Sequence, residues 1–189
     1  EPRLNLRFLT GTNSSIKASY NRGYQYLFML SNTVAVAPSD QWKLSDYHLR
    51  PQYLDQLSAG YYRDFPQSGL STSMEIYRKW GKHIVDDRDG ASFTESPHAE
   101  SETLQGRQDA YGIEAMIRKH TGMLNGWMAY TFARSFMEVD LPRTGEQING
   151  GMPYPSVYDR PHSFSLVANY KQGRRLSFSS NLVYMTGRP

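Results

Sequence analysis

The chain contains no cysteine, no long apolar run and little excess charge of either sign. Without cysteine there is no disulfide framework and no thiolate metal site. Transmembrane helices are excluded, because no run of about 18 apolar residues occurs anywhere. The net charge of +3 is small and dispersed, so we expect no nucleic-acid partner. Glu1-Pro2-Arg3 opens straight into a strand-like run without the features of a leader peptide, so we expect the sequence to begin at a mature terminus or inside a longer protein.

Apolar and polar residues alternate along most of the chain, which is the period of a β-strand. In the first such segment Leu4, Leu6 and Phe8 share one face, while Asn5 and Arg7 share the other. Stretches with the helical period are scarce. We predict eight strands, at about residues 3–10, 15–21, 57–61, 70–79, 111–118, 124–137, 163–170 and 176–184.

Short and long connections alternate between these strands. Tight turns separate the members of each hairpin, and long segments at about residues 23–53, 88–105 and 138–160 join the hairpins; the first of these segments is predicted to be irregular. Outer-membrane barrels have this pattern, with short periplasmic turns and long outer loops. We therefore predict an all-β, antiparallel up-and-down meander of about eight long strands from a transmembrane barrel. Four turns and three loops put both chain ends on the long-loop rim, so residues 1–189 are expected to be one partial barrel domain.

Most charged strand residues alternate with the apolar set, as expected if one face meets lipid and the other meets water. Arg78 is an exception that we place late in its strand, near the outer rim, where the cost of a charge falls towards zero. Aromatic residues at strand ends are expected to form interfacial girdles. These residues are Tyr20, Tyr61, Tyr62, Trp80, Trp127, Tyr170 and Tyr184.

Four stretches resemble the barrel half of TonB-dependent outer-membrane receptors, in particular the group with a carboxypeptidase-regulatory-like domain before the plug. They are SSIKASYNR (Ser14–Arg22), AYGIEAMIRKHTGMLNGWMAYTFARS (Ala110–Ser135), YDRPHSFSLVANY (Tyr158–Tyr170) and VYMTGRP (Val183–Pro189).

The resemblance implies a parent barrel of about 22 strands with a plugged lumen in a Gram-negative outer membrane. It implies import of a scarce nutrient, such as a siderophore, glycan or peptide, with energy passed on by TonB. The implied partners are outer-membrane lipid, the rest of the barrel and its plug, TonB through an N-terminal region, and a surface lipoprotein as a further candidate. Plug, TonB-contacting segment and final strand are missing from the sequence.

Two other readings stay open beside the importer. A passive or structural barrel would have no plug, and a barrel hydrolase would need a catalytic site. His83, Asp86 and Asp87 lie near one strand end and His98 lies in the following loop, where an Asp/His pair could activate water. Solvated rim residues explain them more simply, so we expect no enzyme, no cofactor and no metal site.

Ligand contact by the outer loops is the favoured functional hypothesis. Aromatic and arginine side chains on loops held by a rigid scaffold are typical of binding surfaces. They could also pack loop against loop or lie against the membrane. The candidate residues are Tyr26, Trp42, Tyr47, His48, Arg50 and Tyr154.

Overall fold

The computed structural model describes residues 1–30, 41–88, 91, 99–141 and 146–189. In this part of the chain, eight strands of nine to 18 residues form one antiparallel sheet in sequence order. They are β1 (Arg3–Gly11), β2 (Ser14–Gln25), β5 (Gln52–Phe65), β6 (Leu70–Asp87), β7 (Thr103–Lys119), β8 (Leu124–Glu138), β12 (His162–Gln172) and β13 (Leu176–Met185).

Smaller elements occupy the long connections. They are the strands β3 (Leu27–Leu30), β4 (Gln41–Leu44), β9 (Asp140–Leu141), β10 (Glu146–Gln147) and β11 (Tyr154–Pro155), and the 3-10 turns Ala99–Glu102 and Asn149–Gly151. β11 pairs with β8 and so adds a short segment to the main sheet. Among the described residues, no helix has the length and apolar character needed to cross a bilayer.

The connections alternate in length as the sequence predicts. Short turns join β1 to β2, β5 to β6, β7 to β8 and β12 to β13, and the long connections all lie at the opposite rim. The prediction of an all-β antiparallel meander is therefore confirmed. In the described residues β1 and β13 each pair with a single neighbour, so the sheet is open, which is consistent with part of a larger barrel.

The two faces of the sheet differ in chemistry. We call one the apolar face; on it Leu6 is 62% exposed and Phe8 is 70% exposed, and the other members include Leu4, Ile16, Leu57, Met74, Ile76, Ile113, Ile117, Met128 and Leu182. We call the other the polar face; it carries Arg7, Lys17, Ser19, Ser58, Tyr62, Glu75 and Glu114. Because soluble monomers rarely expose apolar patches beyond a few hundred square ångströms, the apolar face is suited to lipid.

Buried apolar side chains lie in the long connections and in the strand ends beside them, not between two layers of sheet. Phe28, Leu30 and Leu49 form one small cluster. Leu104, Met137 and Val139 are buried at the outer ends of β7 and β8. A soluble sandwich would bury its strand-centre leucines and isoleucines instead, and here those residues are exposed.

Close packing on the polar face depends on a glycine in β7. The Tyr77 side chain of β6 lies across Gly112, and a Cβ built there would come within 2.6 Å of the tyrosine oxygen and 2.7 Å of the Phe132 carbonyl oxygen. The carbonyl belongs to backbone and has little room to move, so only glycine fits at this position.

Two sequence expectations about aromatic residues are wrong. Tyr62 donates a 2.6 Å hydrogen bond to Glu75 on the polar face. Trp127 pairs across the sheet with Arg118 and Val167 and lies on that face too. The prediction of an interfacial girdle was wrong for these two residues because it considered only their position near a strand end. It did not consider which face of the sheet the alternation of side chains assigns to them.

The expectation for Arg78 is wrong in one respect: it is the ninth residue of the 18-residue β6, so it does not lie late in the strand. Because β6 continues well past the apolar stripe, Arg78 still lies near the outer end of that stripe, between Ile76 and Trp80. Asp109 of β7 forms an ion pair with it at 2.6 Å. Arg78 is not a lone exception, since two further arginine–aspartate pairs, Arg22 with Asp55 and Arg134 with Asp159, involve an arginine of the same face.

Candidate ligand-binding surfaces

The sequence predicted an irregular segment at residues 23–53, but part of this segment is regular. β2 continues to Gln25, and β3 pairs with β4 in a small antiparallel ribbon that we call the outer hairpin. Leu27–Leu30 are four consecutive apolar residues, a run too short and too uniform to predict a strand from the sequence. The cluster of Phe28, Leu30 and Leu49, packed against Val85 and Ala91, holds the outer hairpin against the outer end of β6.

The other face of the outer hairpin is exposed and apolar. Leu27 lies directly opposite Leu44, and Met29 lies opposite Trp42. Their exposed fractions run from 41% for Met29 to 67% for Trp42 and Leu44. Cross-strand neighbours of this kind form a continuous surface of about four side chains. Trp42, one of the predicted ligand residues, lies within it.

A tight turn after β4 projects two more of the predicted residues. The Asp46 carboxylate accepts hydrogen bonds of 2.8 Å from the backbone N–H groups of His48 and Leu49. These N–H groups, with help from Lys43, hold the pKa of Asp46 below its usual value. The turn leaves the Tyr47 side chain 93% exposed, with the His48 ring edge-on to it at 5.6 Å.

Arg50 and Tyr26 lie at the two ends of this connection. The backbone N–H of Arg50 donates to the side chain of Gln105 at 3.0 Å, and its carbonyl accepts from the same side chain at 2.8 Å. The Tyr26 ring stacks on Tyr24 at 6.3 Å. Five predicted ligand residues therefore lie on one connection around the outer hairpin, and Trp42 and Tyr47 offer the most exposed aromatic surface.

Tyr154 lies in a different loop. It belongs to β11, which pairs with β8 opposite Met137, and its hydroxyl donates a hydrogen bond to Asp86. The hydroxyl therefore ties the loop to the outer end of β6. The structure gives Tyr154 a packing role and leaves the outer hairpin as the main candidate surface.

The residues considered for hydrolysis also make structural contacts. His83 has a positive φ of 58° and interrupts the regular pairing of β6 with β7. Its Nδ1 lies 3.2 Å from the Pro51 carbonyl oxygen. Burial, together with the neighbouring carboxylate of Asp86, raises the pKa of Asp87 to about 6. Asp87 is the last residue of β6 and lies seven residues beyond Trp80, where the apolar stripe of the strand ends. His98 lies outside the described residues.

On the polar face, four charged residues lie in one row of cross-strand neighbours that runs across the sheet from β1 to β7. Arg7 lies opposite Lys17, Lys17 opposite Gly60, Gly60 opposite Glu75, and Glu75 opposite Glu114. The row therefore begins with two cations on β1 and β2 and ends with two carboxylates on β6 and β7. Such a wall can contact water, polar solutes or a polar protein surface.

No group of three or more metal-ligating side chains is found in the portions of the chain that the structure describes. Comparison with curated proteins gave no match. The sequence model of one protein family, described as TonB dependent receptor-like, beta-barrel, matches residues 1–188.

Proposed function

Because this chain belongs to the TonB-dependent receptor-like β-barrel family, we propose that it forms wall and outer loops of an active importer of a scarce solute. The family supports an outer-membrane barrel with a receptor or transport role. The finer proposal is that the solute is a siderophore, glycan, peptide or similar nutrient, taken up with energy from TonB.

The chemistry of the two faces supports this environment. Placing an arginine or lysine on the lipid face near the bilayer centre costs about 2–4 kcal/mol. Arg7 and Lys17 avoid that cost because they lie on the polar face. Leu6 and Phe8, more than half exposed, are in turn stabilised by contact with hydrocarbon.

The outer hairpin is the observation that carries the ligand-binding proposal. Its buried face is fixed on β6, while Leu27, Met29, Trp42 and Leu44 remain exposed at the long-loop rim. A rigidly held, exposed apolar surface with a tryptophan is suited to bind a solute of mixed polarity. Tyr47 and His48 extend this surface with an aromatic pair.

Further parts of the transporter belong to the proposal. The free edges of β1 and β13 would pair with more barrel strands, since open edges are unfavourable in lipid. A plug inside the barrel, a segment that contacts TonB and a surface lipoprotein are the proposed protein partners. Residues 1–189 would then be one part of the barrel domain.

Growth of a deletion strain tests the proposal. The strain is grown on ferric siderophores, peptides or glycans as the limiting nutrient, with and without functional TonB. We expect one nutrient to require both the gene and TonB. In the full-length protein, Trp42→Ala with Tyr47→Ala should then lower uptake of that nutrient at least tenfold at low concentration.

Met123→Ala provides a matched control, because Met123 is an exposed apolar residue in a turn at the opposite rim. It should leave uptake unchanged. Uptake that persists without TonB would contradict active import and favour a passive barrel. Uptake that resists the Trp42 and Tyr47 substitutions would contradict the role of the outer hairpin.

A further inference from the structure

Two cations face each other on the polar face. Arg7 and Lys17 are direct cross-strand partners on β1 and β2. Like charges in this position destabilise a strand pair. In the described part of the chain neither side chain forms an ion pair, since the pairs found there involve other residues. The arrangement is therefore suited to an anion that lies between them.

The two cations line a cleft of about 290 Å³ on the polar face, towards the short-turn rim. Hydroxyl groups line the same cleft and can donate hydrogen bonds to an anion. Among these hydroxyls are those of Thr12, Ser14, Ser15, Ser71 and Ser73. We call this space the anion cleft.

A single carboxylate belongs to the anion cleft. Asp64 lies four residues along β5 from Gly60, which is the register partner of Lys17. At about 3.3 Å per residue, this separation is roughly 13 Å along the strand. The cleft therefore keeps a net positive charge where Arg7 and Lys17 meet.

The aromatic contact of Lys17 leaves its ammonium group available. Its Nζ lies 4.0 Å from the centroid of the Tyr62 ring. The ring is itself held by the hydrogen bond from the Tyr62 hydroxyl to Glu75. A cation over an aromatic face is stabilised by the ring, yet its N–H groups can still donate elsewhere. Lys17 is thus oriented without being neutralised.

We propose that Arg7 and Lys17 hold an oxyanion, the phosphate or carboxylate group of a solute, in the anion cleft. The arginine presents a planar fork that matches two oxygens of such a group, and the lysine adds a point charge. Serine hydroxyls complete the donor set. The site deepens the proposed import function, on which it rests for a polar inner barrel wall that a solute can reach beside the plug, and it narrows the solute to one that bears an oxyanion.

Thermal unfolding of the full-length protein in detergent tests the site. Inorganic phosphate is titrated against chloride at constant ionic strength, with acetate as a parallel carboxylate probe. We expect phosphate or acetate to raise Tm above the chloride value. Arg7→Gln and Lys17→Gln should each weaken that response about tenfold, since a charge-assisted hydrogen bond is lost in each.

Lys79→Gln is the matched control. Lys79 is another cation of the polar face, its Nζ 5.0 Å from the Tyr77 ring, and it does not line the anion cleft. Its substitution should leave the response to phosphate unchanged. Should Arg7→Gln fail to fold, Arg7→Lys keeps the charge and should retain a weaker response.

An equal Tm in phosphate, acetate and chloride for the unsubstituted protein overturns the proposal. A loss of stability in Arg7→Gln with no anion dependence in the unsubstituted protein also overturns it, because the counter-charge would then belong to the protein itself. The Tm measurement does not depend on transport. If phosphate and acetate leave Tm unchanged while uptake of the nutrient is normal, the anion site is refuted and the import proposal stands.

Discussion

Substitution of Asp159 tests how the last long connection is attached to the sheet. Asp159 is 3% exposed. Its carboxylate accepts a 2.7 Å hydrogen bond from the backbone N–H of Ser135 and a 3.1 Å hydrogen bond from Nε of Arg134. Asp159→Ala removes both contacts, so the backbone N–H of Ser135 and the guanidinium of Arg134 lose this carboxylate as their partner.

The expected loss of stability follows from these two contacts. A hydrogen bond to a charged group contributes about 1.5–3 kcal/mol. The Arg134 side chain is 31% exposed, so water screens part of the ion pair, and this part adds about 1 kcal/mol or less. Asp159→Ala should therefore cost about 2–4 kcal/mol, and Asp159→Asn, which keeps an acceptor for Ser135, about half as much.

Urea unfolding of the full-length protein in lipid vesicles, followed by tryptophan fluorescence, measures this loss. For a slope of roughly 2 kcal/mol per molar urea, the midpoint should fall by about 1–2 M. Glu146→Ala is the control, because Glu146 and Arg88 lie on the outer connections with side chains 35% and 46% exposed, and such pairs contribute little. An unchanged midpoint for Asp159→Ala, or an equal loss for Glu146→Ala, would refute the reasoning.

Three further predictions concern packing and pH. Gly112→Val should abolish assembly into the membrane, because the added Cβ overlaps a backbone carbonyl. Gly23→Val should be neutral, since nothing lies within 4 Å of a Cβ at that position. Heat-modifiable mobility on gels measures the assembly of both variants. Leu30→Ala removes a 1% exposed side chain and should expose the outer hairpin to protease with the barrel intact. The lowered pKa of Asp46 stabilises its turn above the unfolded pKa near 4, and this stabilisation is lost as pH falls through the lower folded value. The protection of the Leu49 amide, measured against its intrinsic exchange rate at each pH, should fall there, and Asp46→Asn should remove this fall.

Each of these predictions can fail in a distinct way. Normal assembly of the Gly112 variant would show that β7 and β8 can separate to admit a side chain. Unchanged protease resistance of the Leu30 variant would mean that the outer hairpin is held by contacts other than its buried cluster. Protection of the Leu49 amide that stays constant as pH falls in the unsubstituted protein would contradict the role of the Asp46 carboxylate.

Parity along single strands determined much of the fold from the sequence alone. Because side chains alternate with a period of two, Leu4, Leu6 and Phe8 could be assigned to one face without knowledge of any partner strand. The connection lengths are equally local, so the two rims were also predictable. The same local signals identified Trp42 and Tyr47 as exposed loop aromatics.

Pairing partners could not be read from the sequence. Arg134 meets Asp159 across 25 residues, and Arg78 meets Asp109 across 31. Parity states only that a charge lies on the apolar face, whereas register decides whether a carboxylate meets it. For this reason Arg78 was taken as a lone exception, although Asp109 pairs with it and two other arginines of the apolar face also meet an aspartate.

The outer hairpin and the anion cleft depend even more on tertiary structure. The four residues of β3 are a weak local signal, and β3 is stabilised by burial of Phe28 and Leu30 against residues far along the chain. In the same way, Arg7 and Lys17 become a site only when β1 and β2 pair in one register and Tyr62 of β5 orients the lysine. The sequence thus determined the faces and the rims, because alternation is local. The tertiary structure decided which charges meet, because register is set by long-range pairing.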